Sequence, residues 1–425
     1  MEEKEKTPTD YFKGVKVPIK HIVKYDNSIK ILSETAIKAN KIVVHTLQFL
    51  KLYLLDYYET YSDLPKIDKV LVNSCMKTIC KKSTTGRPPS EKIKKLKDSL
   101  NKVYINLYKP LTINDSLDYK HMNTILDYLT IDIVTMYENN IKQHYVEYVE
   151  RYVNIMWKKK QLIEIIRKQL IPQKEKERKV NHLCNQLRKI KNDLLNVETK
   201  RYTSYSFYHS WINKQKELII PSGKFKKNSI YYDLQCDPQK YFSKMLFIMK
   251  QIEKNEEKVS NVFPLRSNII PKHIRIDTTS LIHLLFTKEQ GTKSFYLTKG
   301  NLKRYEDKIW NFFFRTERQC FRKKNYSFHH MIETDGISAT ILFLRKDLVG
   351  KKVKVSNIKS QEKYIDEIEN YDNLKNKKIV AIDPNMSDLI YCVDGDTKNR
   401  NYFRYTQDQR RKATKQKKYF IWAKN

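Results

Sequence analysis

KKIVAIDPNMSDLIYCVDGD, Lys377 to Asp396, is the stretch on which the reading of this chain turns. Ile379, Val380, Ala381 and Ile382 make a short β-branched run, preceded by Lys and Asn and followed by Asp-Pro, which predicts a buried strand with Asp383 at its end. Leu389 to Val393 is a second apolar run after a short polar connection, so the two are expected to pair as a hairpin. Asp-Pro is also a common turn pair in which the Asp caps its own turn. The segments around it decide between the two readings.

Tyr402 to Tyr405 reads as a further strand, and a basic helix with Arg410, Arg411 and Lys412 is expected from Gln407 onward. Upstream, HHMIETDGISATILFLRKD (His329 to Asp347) carries the turn pair Asp335-Gly336, and Ile337, Ala339, Ile341 and Phe343 alternate after it as in a strand. His329 and His330 invite a metal reading. Neighbours on a strand point to opposite faces, however, and no third ligand is near in sequence, so that reading is set aside.

The middle of the chain is helical in pattern. In Leu32 to Glu59, Ile37, Ile42, Val43, Leu47, Leu50, Leu54 and Tyr58 recur at helical steps, before a loop, KKSTTGRPPS, at Lys81 to Ser90. Asn139 to Trp157 places Ile141, Tyr145, Tyr148, Val149, Tyr152 and Met156 on one stripe. Lys158, Lys159 and Lys160 follow, then Arg167 and Lys168, KEKERK at Lys174 to Lys179, and Arg188, Lys189 and Lys191. A helix end suits a few cations through its dipole, but it does not require so many. Pro172 is expected to end or kink one helix, and another is expected from about Val180 to Thr199 on Leu183, Leu187, Ile190 and Leu194. The aromatic cluster RYTSYSFYHSW (Arg201 to Trp211) reads equally as helix packing or as rings available to unpaired bases. The cations Lys158, Lys159, Lys160, Arg167, Lys168, Arg188, Lys189, Arg410, Arg411 and Lys412 are the candidate nucleic-acid contacts.

Composition agrees with that assignment. The 425 residues hold 83 Lys and Arg against 48 Asp and Glu, a formal net charge of +35, and the acidic partner best able to match it is a nucleic-acid backbone. An AT-rich gene explains abundant Asn, Ile, Lys and Tyr, but it would raise Glu along with Lys. Hydrophobic residues make up 40%, enough for true cores over two or three domains. Six scattered cysteines without a CxxC pair point to a reducing, intracellular compartment. The charged first twenty residues are no secretion signal, and no run approaches the roughly 20 apolar residues of a membrane span, so no membrane partner is expected.

The order of these blocks resembles the transposon-encoded TnpB nucleases, and within them the eukaryotic and giant-virus branch called Fanzor. It is carried by an N-terminal strand region from Tyr11, a long basic helical insertion with NIKQHYVEYVERYVN (Asn140 to Asn154), and VFPLRSNIIPKHIRID (Val262 to Asp277). DGISATILF (Asp335 to Phe343) and IDPNMSDLIY (Ile382 to Tyr391) complete the set.

The resemblance implies an α+β multidomain fold, in which a small β-barrel, the oligonucleotide-binding-like wedge, is interrupted by a helical recognition domain and followed by a RuvC-like domain of RNase H type. The boundaries expected are a disordered start at 1–10, wedge strands at 11–30, the recognition domain at 31–260, the rest of the wedge and its connections at 261–370, and the nuclease fragment at 371–425. The implied activity is Mg²⁺-dependent cleavage of target DNA directed by a guide RNA, the protein holding the heteroduplex through its backbone.

Asp383 matches the first metal-binding aspartate, and Asn385 stands where the family usually has Gly. A two-metal centre needs further carboxylates. The family draws its Glu, second Asp and a CxxC-type zinc element from later segments, and none is found up to Asn425. The expectation is therefore a truncated relative, without the zinc element or a complete Mg²⁺ site, inactive alone unless a second chain supplies the rest. The alternatives are a non-catalytic RNA- or DNA-binding regulator and a conventional transposase subunit. Nucleus and cytoplasmic virus factory are both compatible locations.

Overall fold

A computed structural model describes residues 11–80, 90–112, 117, 119–197, 202–259, 261–266, 271–287, 291–351, 380–383, 388–394 and 401–414. The loop at 81–89, Asn385 and the chain after Thr414 lie outside them. The chain divides into two compact units, Met1–Val349 and Gly350–Asn425, each described by itself. The fold is α+β.

The first unit opens with β1 (Phe12–Pro18), the short α1 (Ile19–Ile22) and the long α2 (Asp26–Tyr61). There follow α3 (Lys69–Ile79), α4 (Glu91–Val103), α5 (Asn123–Met156), α6 (Lys159–Lys168), α7 (Gln173–Leu195), α8 (His209–Ile219), α9 (Ile230–Cys236) and α10 (Phe242–Lys254). Then come β2 (Ile274–Asp277), α11 (Thr278–Leu285), α12 (Lys293–Leu297), α13 (Lys299–Phe313), β3 (Tyr326–Thr334) and β4 (Ser338–Arg345). The N-terminal region thus supplies one strand and then turns helical at Ile19, where alternation of apolar and basic residues gives way to Pro18 and a three- to four-residue apolar step.

The four strands pair antiparallel in the order β1-β4-β3-β2, with Val15 opposite Ile341 and Ile276 opposite Ile332. A strand from the start of the chain is therefore hydrogen-bonded to one more than 300 residues later, and the intervening helices are an insertion into this sheet. The sheet is open: β1 and β2 are its edges and, among the described residues, do not pair with each other, so the expected closed barrel is not formed. Ala339, Ile341 and Phe343 face the core as the alternation predicts. Ile337 does not; it belongs to the turn, where its carbonyl accepts the Ile19 N–H, and its side chain is exposed.

Helix α13 covers β3, with Trp310 packed on Phe328 at a ring separation of 5.1 Å. Trp310 Nε1–H donates to Thr278 Oγ1 at 2.9 Å, and that hydroxyl donates to Glu306 Oε1 at 2.6 Å, so the buried indole N–H is satisfied. Arg275 on β2 bonds Glu333 on β3 (3.0 Å) and reaches Asp132 on α5 (3.3 Å), tying the helical insertion to the sheet. Residue spacing places Leu47, Leu50 and Leu54 of α2, Val72 and Cys75 of α3, Ile141, Tyr145 and Val149 of α5 and Met245 and Leu246 of α10 in one core. Ile37 is exposed, contrary to the stripe read from the sequence; Leu32, Ala36 and Ala39 carry that turn of the helix into the core instead. Among the described residues no helix is long and apolar enough to cross a membrane.

The second unit holds a meander, β5 (Val380–Asp383), β6 (Asp388–Asp394) and β7 (Tyr402–Thr406), in the order β5-β6-β7, then α14 (Gln407–Ala413). Ile382 lies opposite Cys392, and Cys392 opposite Phe403. The strands are where the sequence puts them. The burial is not: Val380 is 47% and Ile382 63% exposed, because β5 is an edge strand whose apolar face meets little of the described chain.

Candidate nucleic-acid interface

Helix α5 ends at Met156, and Lys158 takes a left-handed conformation (φ 45°) that turns the chain into α6. That places Lys159 and Lys160 in the first turn of α6 and Arg167 and Lys168 in its last. Pro172 then caps α7 rather than ending a helix, and α7 starts seven residues before the position expected from the sequence. Proline is tolerated there because no intrahelical N–H is called for at a helix start. The run Lys174 to Lys179 is consequently helical, on the first turns of α7.

Helix α6 buries none of its residues, and α7 buries none before Gln186. The α6–α7 hairpin up to that point is thus surface rather than core, with Leu162, Ile165 and Leu170 exposed among its charges. Between Lys158 and Lys179 it carries nine Lys and Arg against three Glu. Two of those carboxylates are already engaged, Glu175 with Lys179 at 3.5 Å and Glu177 with the Gln173 side-chain amide at 3.0 Å. Lys160, Arg167, Lys168 and Lys189 are exposed and hold no ion pair among the described residues.

The hairpin returns against α5, and there the cations converge. Lys191 Nζ donates to Glu150 Oε2 at 2.9 Å. Glu150 is held below the usual carboxylate range, first by that hydrogen bond, with partial burial working against it and the positive charges of Lys191, Lys159 and Arg188 adding to it. Lys191 is thus bonded to this carboxylate, and Lys159 and Arg188, from α6 and α7, lie within range of its charge. Of the residues named from sequence, Lys159 and Arg188 both act on this carboxylate. Lys191 belongs with them, though in the sequence it is only one more member of a basic run.

Behind this junction is an aromatic layer. Trp157 packs edge-on to Tyr208 (4.8 Å) and Trp211 (5.4 Å), and Phe207 stands 6.1 Å from Trp157. Tyr145 and Tyr152 of the α5 stripe are buried and hydrogen-bonded to Ile219 O and Gln215 Oε1, both at 2.7 Å. These rings are packing. Tyr205 and Phe207 are not, being 53% and 77% exposed.

The remaining candidates belong to the second unit. Arg410, Arg411 and Lys412 sit on α14 of the second unit, exposed, on a helix started by a capping box between Thr406 and Gln409, with Arg411 3.9 Å from Asp408. Asp383 is the last residue of β5, its backbone opposite Tyr391; its side chain lies outside the described residues. The other carboxylates of that sheet are taken: Asp388 by Arg404 at 2.6 Å, Asp394 by the Asn401 side-chain amide at 3.2 Å. Among the described residues no group of three or more His, Cys, Asp and Glu is arranged for a metal. His330, the residue of a β-bulge with φ 50°, places Nε2 2.7 Å from Asp307 and Nδ1 3.4 Å from Glu306, so it serves as a polar pin between β3 and α13.

A family model described as a domain of unknown function (DUF8286) matches residues 274–345, which run from the first residue of β2 to the last of β4. A search of curated proteins finds no match to the chain.

Proposed function

We propose that this chain is a nucleic-acid-binding protein of the TnpB/Fanzor kind, whose α5–α6–α7 junction grips a phosphate backbone. The single observation that carries this reading is the gathering of Lys159, Arg188 and Lys191 around one carboxylate, next to a hairpin that contributes cations to the surface and little to the core. Clustered Lys and Arg displace condensed counterions when they meet phosphates, and this supplies sequence-independent affinity. The net charge of +35 extends the same field over the chain. Guide RNA and target DNA are the partners that the family resemblance adds.

Asp383 would be the residue to hold Mg²⁺ if the second unit works as a nuclease. Its neighbours Asp388 and Asp394 are committed to Arg404 and Asn401, so the described carboxylates do not assemble a two-metal site. Binding is the function these observations support best.

The test is anisotropy titration of a labelled oligonucleotide at several salt concentrations. The expected result is a linear fall of log affinity with log salt, about 0.7 to 0.9 for each phosphate neutralised. A flat response overturns the reading. Mg²⁺-dependent cutting of DNA by the purified chain, lost in Asp383→Ala, would replace it with a catalytic one.

A further inference from the structure

We infer that Tyr205 and Phe207 form a stacking shelf for unpaired bases, so that the basic junction holds a single strand in preference to an unbroken duplex. This rests on the nucleic-acid reading above and names its substrate class.

The two rings sit on a short segment whose other aromatics turn inward. Tyr208 and Trp211 pack on Trp157, and Tyr202 stacks on His209 at 4.2 Å. Phe207 meets that layer only at its edge, 5.3 Å from Tyr208 and 6.1 Å from Trp157, and keeps 77% of its surface open. Tyr205 rests beside His182 of α7, with its hydroxyl 3.4 Å from the imidazole Nε2, and is 53% open. Both therefore show apolar area to solvent from a braced position.

The bracing comes from a buried carboxylate. Asp193 of α7 accepts the backbone N–H groups of Thr203 and Ser204 and the Thr203 hydroxyl, all between 2.8 and 3.1 Å. The Ser204 carbonyl in turn lies 3.0 Å from His209 Nε2, at the first residue of α8.

Charge selects the occupant. Trp157, against which Phe207 leans, is followed directly by Lys158, Lys159 and Lys160, and Arg188 and Lys191 stand on the helix that carries Asp193. Exposed rings on a chain this basic suit a polyanion with flat apolar faces, and an unpaired nucleotide offers both. In a duplex those faces are stacked on each other and closed to side chains.

The experiment uses the full chain, a labelled unstructured 20-nucleotide strand and the blunt duplex of the same sequence, with Phe207→Ala, Tyr205→Ala, their double variant and Phe207→Trp. Each alanine change is expected to weaken single-strand binding about five- to hundredfold, with the salt slope unchanged because the cations remain. Duplex binding stays as in the wild type, and Phe207→Trp, which keeps a stacking face, retains single-strand affinity. A double variant that binds the strand as tightly as wild type, or loses strand and duplex alike, overturns the shelf while leaving the nucleic-acid reading in place. A wild-type chain that binds neither overturns both. A concentration-dependent dimer in sedimentation, abolished by Phe207→Ala, would assign the rings to a second copy of the chain and also overturn the shelf.

Discussion

Asp193 Oδ2 accepts the backbone N–H of Ser204 at 2.8 Å, so a carboxylate buried on α7 fixes the entry to the segment that carries Tyr205 and Phe207. Asp193→Ala leaves buried N–H donors unpaired, at a cost of about 1–3 kcal/mol, and loosens the segment. The expected result is a lower urea midpoint together with weaker single-strand binding. Burial by itself raises the Asp193 carboxyl, but the hydrogen bonds from Ser204 and Thr203 outweigh it and hold the group below its usual value. A carboxyl lowered by folding contributes stability that is present above its unfolded value of about 3.9 and is lost as pH falls through the folded value. Thermal unfolding followed from pH 6 downward should therefore show an acid loss that Asp193→Asn reduces. An unchanged acid limb would separate Asp193 from the stability of this junction.

Gly336→Ala is expected to be costly for a different reason. Gly336 turns the β3–β4 hairpin at φ +93°, and a Cβ there would meet the Ser33 Cα of α2 at 2.6 Å. The left-handed φ costs a non-glycine roughly 1–2 kcal/mol, and the overlap is with backbone, which cannot swing away, adding about 1–3 kcal/mol. A urea midpoint equal to that of wild type would show that α2 does not press on the turn.

That turn also shows what the sequence makes legible. Asp335-Gly336 announces the hairpin because only a short list of residues accepts its backbone angles, and Ala339, Ile341 and Phe343 announce the inner face because a strand has a period of two. Helix α2 is read correctly as a helix but with the wrong stripe near Ile37, since Ala36 and Ala39 lie closest to their neighbours while counting little as hydrophobic residues. Pro172 misleads because the Lys and Glu that follow it give α7 no apolar period until Leu183. Burial of β5 is misread because an apolar run does not say whether anything covers it, and Val380 and Ile382 stand on an edge strand. At the interface, the basic residues are visible in the sequence but their convergence is not. Lys159 and Arg188 both reach the field of Glu150 only because α7 folds back along α5, and Tyr205 and Phe207 separate from Tyr208 and Trp211 within a turn that has no period to read.

Thr278→Val tests the polar link inside the sheet unit. The hydroxyl takes the Trp310 Nε1–H at 2.9 Å and donates to Glu306 at 2.6 Å. Valine keeps the shape and strands the indole N–H and one carboxylate oxygen, at a cost of about 1–3 kcal/mol. The check is the denaturation midpoint. Replacing Thr278 by Ser, which keeps the hydroxyl, should recover most of it.

Charge changes at the junction give the sharpest test of binding. Reversing Lys158, Lys159 and Lys160 to Glu should weaken affinity at low salt and lower the salt slope by roughly two to three units, because three fewer phosphates are neutralised. Glu150→Gln should do the opposite: it releases Lys191 from its 2.9 Å ion pair and removes a negative charge within range of Lys159 and Arg188. The slope should then rise by about 0.7 to 0.9, the share of one additional phosphate. Asp383→Ala should leave binding almost unchanged or slightly stronger, because a lone carboxylate near phosphate repels it when no metal stands between them. Equal losses from Asp383→Ala and from the triple lysine reversal, or a Glu150→Gln chain that binds more weakly than wild type, would move the binding face away from α5, α6 and α7.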